Sequence, residues 1–142
     1  MNVNKIYVSF FLLLCVFLLN SCKEDENIPY VPVNISIDVY DALYGDISVV
    51  GGYMYITGGY KGIIIYRKSQ EEFVTIERAC PYKPLLDCER LAVDDSTLIF
   101  VKDDCCGSIF LITDGSIING PATKPAKLYN NNFDGRYLYI YN

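Results

Sequence analysis

Four cysteines in two short stretches constrain this chain more than any other feature. One stretch runs Cys80-Pro81-Tyr82 and on to Cys88. The other runs Asp103-Asp104-Cys105-Cys106-Gly107-Ser108-Ile109-Phe110. Two cysteines in each of two loops suit a metal centre, a pair of disulfides or a redox switch, and all three require a fold that brings the loops together. The chain contains no histidine. Every chemistry that needs an imidazole ligand or base is therefore excluded.

The segments around these loops read as short strands separated by glycine-bearing turns. Val33 to Val39 alternates apolar with polar residues, the mark of a half-buried strand. Gly45-Asp46 is expected to turn into a strand from Ile47 to Val50, which Gly51-Gly52 then breaks. Tyr53 to Thr57 reads as a strand, and Gly62 to Tyr66 as a buried one. Glu72 to Arg78 alternates and is expected to pair with it. Asp94-Asp95-Ser96 reads as a turn, Thr97 to Val101 and Ser108 to Thr113 as strands, and Asp114-Gly115 as a hairpin turn. Gly120-Pro121-Ala122-Thr123-Lys124-Pro125 is a proline-bearing loop. Asn130 to Asn132 with Asp134-Gly135 is expected to form the last turn, before a closing strand over 136–141 with its tyrosines on one face. Helical periodicity is not sustained anywhere after residue 21, so the expected class is all-β, a sandwich or barrel.

The N-terminus has a different character. About fourteen apolar residues, Ile6 to Leu19, follow Lys5: short for a membrane span, right for a secretory signal. Leu19-Asn20-Ser21-Cys22 resembles the bacterial lipobox, which implies cleavage before Cys22 and a lipid on its sulfur. Lys23-Glu24-Asp25-Glu26 resembles the surface-export signal of Bacteroidetes lipoproteins. The expected organisation is a signal peptide over 1–21, a lipidated acidic tether over 22–32 and one β domain over 33–142. Expected with it are an outer-membrane anchor in the cell envelope and an envelope protein as partner.

Removal of 21 of the 142 residues leaves 121, enough for one modest core. Without Lys5 the chain carries 11 basic against 17 acidic side chains, a balance that argues against nucleic acid. It has no phosphate-binding loop, dinucleotide fingerprint or zinc-protease helix. Asp103-Asp104, with Asp87 and Glu89, reads as exposed loop charge rather than acid–base machinery, and no enzyme is expected. The tyrosines read chiefly as cross-strand packing residues, with a sugar-stacking platform as the other reading.

Export places the four cysteines in an oxidising compartment, where an even count points to disulfides. Of the three pairings, the one joining Cys105 to Cys106 is disfavoured, because adjacent Cα atoms lie about 3.8 Å apart, below the usual disulfide range. The other two remain open. A four-thiolate zinc or iron site from Cys80, Cys88, Cys105 and Cys106 lacks the Cys-x-x-Cys spacing such sites use, and no metal is expected.

From roughly Val33 to Asn142 the chain resembles the Rieske 2Fe–2S domain family, an all-β fold in which two loops each give one cysteine and one histidine to the cluster. Cys80 stands at the first loop's cysteine position, and Tyr82 replaces its histidine. In the second loop Gly107-Ser108 and Phe110 match, Cys106 replaces the histidine and Asp103 replaces the cysteine. Gly120-Pro121-Ala122, Pro125 and Tyr129 resemble the proline loop that covers the cluster. One branch of the family carries a disulfide beside the cluster, and Cys88 and Cys105 fall at its places. The resemblance thus implies a Rieske-like antiparallel β-sandwich with Cys88–Cys105 and Cys80–Cys106 bridges, the second lying across a lost cluster site. With both imidazoles gone, the expected cofactor is none. The alternative is a redox protein with a 2Fe–2S or other centre, or a reversible dithiol.

Overall fold

The computed structural model describes residues 27–142; the expected signal peptide, the expected lipidation at Cys22 and the start of the expected acidic tether lie outside the described residues. The described chain is all-β. It has ten strands: β1 (Asn34–Asp38), β2 (Tyr53–Ile56), β3 (Ile63–Arg67), β4 (Phe73–Glu77), β5 (Leu91–Val93), β6 (Phe100–Asp103), β7 (Ile109–Leu111), β8 (Ile117–Asn119), β9 (Asn130–Phe133) and β10 (Tyr137–Tyr141). They form three antiparallel sheets, ordered β1-β10-β9, β2-β3-β4 and β5-β6-β7-β8.

The β2-β3-β4 sheet has a core on each side. Ile64, Val74 and Ile76 face one cluster with Leu91, Val93, Val101, Phe110 and Ile112 of the four-stranded sheet and its flanks. Ile63, Ile65 and Phe73 face the other with Ile37, Leu138 and Ile140. This explains the unbroken apolar run in β3: side chains alternate faces, and both faces are buried. The same holds for β4, all of whose residues are buried, Thr75 and Glu77 included.

Two polar side chains hold this layer. Glu77 is fully buried and accepts four hydrogen bonds: from the backbone N–H groups of Tyr60 (2.7 Å), Lys61 (2.9 Å) and Ala79 (3.0 Å), and from the Tyr129 hydroxyl (2.6 Å). A buried carboxylate is tolerable only with such complete satisfaction. Gly59, at φ +61°, lies so close that a Cβ there would collide with Glu77 Oε2 and the Tyr129 hydroxyl. Arg67, 4% exposed, donates to the carbonyls of Ile47, Ser48, Ser69 and Gln70 and stacks over Phe73 and Phe133.

Arg67 also accounts for a departure from expectation. The segment Ile47 to Val50 is not a strand. A 3₁₀ helix runs Ala42–Ile47, capped by Asp41, and turns the carbonyls of Ile47 and Ser48 toward the guanidinium. Asn130 to Asn132 is likewise not a turn but most of β9. Asn131 Nδ2 donates to the Phe73 carbonyl and Thr75 Oγ1, and Tyr129 N–H donates to the Thr75 carbonyl, so β9 is stitched to β4 as well as paired with β10. The strand expected from Thr97 begins only at Phe100, because the turn extends through Leu98, at φ +59°. The closing strand is as expected: Leu138 and Ile140 point inward, and Tyr137, Tyr139 and Tyr141 outward.

Residues before β1 are tied to the chain end. Asn142 Oδ1 accepts from the Val33 N–H, and Asn142 Nδ2 donates to the Val31 carbonyl. Two β2 tyrosines pin the middle sheet to the four-stranded one: the Tyr55 hydroxyl accepts from Val93 N–H (2.9 Å), and the Tyr53 hydroxyl donates to Asp95 (2.8 Å).

Replacing Tyr129 with Phe removes one of four donors to a buried carboxylate. It is expected to lower stability by about 1.5–3 kcal/mol, read as a lower urea midpoint at unchanged slope. A second outcome concerns pH. The Asp95 bond, then burial, pushes the Tyr53 phenol up to about 12. Folding therefore holds this proton more tightly than the unfolded chain does. Its stabilisation is complete below pH about 10 and is lost as pH rises toward 12. Difference titration of phenolate absorbance between wild type and Tyr53→Phe is expected to show that shift, and Asp95→Asn is expected to reduce it, leaving the part due to burial.

Candidate functional site

The two cysteine stretches are brought together by the strands that carry them. Cys80 lies three residues beyond the end of β4. Its loop returns through an Ala79–Arg90 bridge, with Leu91 N–H donating to the Arg78 carbonyl at 2.7 Å. The loop is braced from the β2–β3 turn. Lys61 Nζ donates to the carbonyls of Leu86 and Glu89, and Arg90 donates twice to the Lys61 carbonyl. The second loop leaves β6 at Asp103. Asp103 Oδ1 accepts from the N–H groups of Cys105 (2.8 Å) and Cys106 (3.0 Å), and Gly107 N–H donates to the Asp103 carbonyl. These bonds fold the segment into a tight turn that faces Cys106 toward Cys80.

Cys88 and Cys105 are joined in a disulfide, with their Cα atoms 5.7 Å apart. Both lie at the surface. Beneath them, Cys80 and Cys106 are free thiols with sulfurs 3.6 Å apart. The bridge expected between these two is therefore not formed: the sulfurs touch without bonding. A four-thiolate site does not arise either, since Cys88 and Cys105 bond each other.

Two carboxyls complete this inner centre. One ligand atom from each of Cys80, Glu89, Asp103 and Cys106 lies within 4.8 Å of all the others. Glu89 is 2% and Asp103 1% exposed, which overturns the reading of both as exposed loop charge. That reading holds for Asp87 and Asp104. The Asp103 side chain turns inward to cap its own loop; Glu89 lies where the returning chain passes under the disulfide. Of the positions that match cluster ligands in the resemblance, Cys80, Asp103 and Cys106 meet. Tyr82 does not join them but packs on the core edge beside Lys83, and Glu89 stands fourth. Glu89 had one sequence signal, its place next to Cys88.

The proline loop seals one side. Gly120, at φ +106°, packs so tightly that a Cβ would collide with Ser108 Cα. Ala122 N–H donates to Ser108 Oγ, which also lies 3.1 Å from Cys106 Sγ. Burial pushes the Cys80 thiol far up, against the pull of the Tyr82 N–H. Burial also raises Cys106, opposed by Ser108's hydroxyl and N–H and helped by the Glu89 carboxyl. Neither thiol is activated as a nucleophile.

The outward tyrosines of β10 do not form a flat platform. The Tyr137 and Tyr139 rings are tilted by 42°, Arg136 stacks on Tyr137, and the Tyr139 hydroxyl donates to Asp134. Among the described residues no helix is long and apolar enough to cross a membrane. The chain matches no protein-family model and no curated protein.

The Cys88–Cys105 bridge closes a loop spanning 17 residues. Loop entropy then gives it about 3 kcal/mol of stability. Converting both residues to serine is expected to lower the unfolding free energy by that amount in urea titration, while the β circular-dichroism signature persists.

Proposed function

We propose that this chain is a lipid-anchored, exported domain on a Rieske-like frame whose cluster site has become a closed structural centre. It serves the cell envelope as a disulfide-stapled binding or structural module, not as an enzyme. The reading of the anchor rests on the sequence around Cys22. The reading of the domain is supported by the two cysteine loops lying side by side, the Cys88–Cys105 bond and the proline loop packed on Ser108.

The observation that carries the proposal is the 3.6 Å between Cys80 Sγ and Cys106 Sγ. In the resemblance these two positions serve different irons. Ligands on the two irons of a sulfide-bridged pair stand well apart. Two sulfurs in contact leave no space for the cluster between them. The donor set agrees: there is no imidazole, Tyr82 is turned elsewhere, and the carboxyls present are hard donors, poorly suited to iron–sulfur ligation. The residues do not fit a 2Fe–2S cluster. A reversible dithiol is disfavoured by the burial that raises both thiols.

The test is iron, acid-labile sulfide and the visible spectrum of the full chain, extracted from membranes in mild detergent. The expected result is neither iron nor sulfide and no visible band. Two irons per chain with a band that bleaches on reduction would make it an electron carrier instead.

A further inference from the structure

The inner centre is unbalanced as a set of protein groups alone. Asp103 uses Oδ1 on two backbone N–H groups, but its Oδ2 is buried and has no hydrogen-bond partner. Glu89 Oε2 is in the same position. Buried carboxyl oxygens without partners are rare and unfavourable. Here two of them come from the same small group of side chains as two thiols. A Cys80–Cys106 disulfide would leave both oxygens unpartnered, so it does not explain them.

The geometry points to a site for one divalent cation of the zinc class, held by Cys80 Sγ, Cys106 Sγ, a Glu89 oxygen and an Asp103 oxygen. This rests on the reading above that the centre holds no cluster. Two thiolates on a tetrahedral ion with bonds of about 2.3 Å stand about 3.8 Å apart, and the sulfurs are at 3.6 Å. Thiolate with carboxylate is a donor set for a borderline ion. Four protein ligands leave no open position, so the ion is structural.

The surroundings match what such a site needs. Ser108 Oγ lies 3.1 Å from Cys106 Sγ, within reach of a metal-bound sulfur there. Such outer donors orient and stabilise metal ligands. Asp103 is fixed by its loop, and the chain at Glu89 is fixed by Lys61 on its carbonyl. Binding releases both thiol protons to solvent. It also places two loops under one ion while the Cys88–Cys105 bond joins them at the surface. Coordination keeps Cys80 and Cys106 reduced in an oxidising compartment.

The experiment uses the full chain extracted in mild detergent. Elemental analysis is paired with alkylation read by intact mass, and Zn²⁺ affinity is measured by competition with a chromophoric chelator. Expected are about one zinc per chain and two thiols that alkylate without reductant only after chelation. Glu89→Gln and Cys106→Ser are each expected to weaken Zn²⁺ binding roughly 100-fold. The Cys88–Cys105 bridge, counted in the same mass spectra, reports that each variant is folded; Glu89→Gln keeps the side-chain shape. A chain that takes up no zinc, with these thiols bridged or free, overturns the ion site and leaves the cluster-free reading standing. Zinc binding unmoved by both substitutions overturns it as well. Iron with labile sulfide overturns both readings.

Discussion

The Glu77 carboxylate fixes the place from which everything else about the cysteine centre follows. It sits at the end of β4, fully buried, and draws in the β2–β3 turn through two N–H groups, β9 through the Tyr129 hydroxyl and its own chain through the Ala79 N–H. Those four bonds offset the desolvation of a charge that no cation among the described residues pairs. They also set the direction in which the chain leaves the strand. Cys80 is three residues on, so its position is inherited from this knot. The turn that Glu77 anchors carries Lys61, whose ammonium and carbonyl hold the returning half of the same loop. The first cysteine loop is thus rigid because of a carboxylate that is not part of it.

The second loop is ordered by the same device at smaller scale. Asp103 bends its own backbone over a single oxygen, and the Gly120 approach presses the proline loop against the result. Two carboxylates, each gathering N–H groups, therefore aim two sulfurs at each other from opposite strands. Packing alone would not do this, because small apolar cores tolerate side-chain rearrangement. Satisfied buried acceptors are far less forgiving.

Much of the architecture was legible because period and punctuation are local. The alternation in β1 and β10, the unbroken Ile63-Ile64-Ile65 run and the Asp114-Gly115 turn each carry their own signal within a few residues. The pairing of the cysteine loops and the Cys88–Cys105 bond followed from the resemblance. What was not legible is long-range. Ile47 to Val50 has strand-like composition, but its carbonyls answer to Arg67 some 20 residues away. The asparagines of β9 look like a turn, yet Asn131 meets Thr75 across 56 residues. Asp103 and Glu89 look like loop charge because their neighbours Asp87 and Asp104, in the same loops, do face water. Which ones turn inward is decided only once both loops are in place.

On the proposed reading, acid and thiol in place of histidine change more than the count of ligands. Neutral imidazoles let an iron pair keep a high potential. Carboxylate oxygens bring charge and hardness instead, and on the proposed reading they stabilise an ion that has no redox chemistry to offer. The outer disulfide then acquires a different meaning. On that reading the bridge joins the two loops at the surface above two sulfurs already in contact. The proposed centre then acts through the two loops it holds together. On that reading the surface these two loops present, with Leu85, Leu86, Cys88 and Cys105 outward, is the face a stapled domain offers a partner.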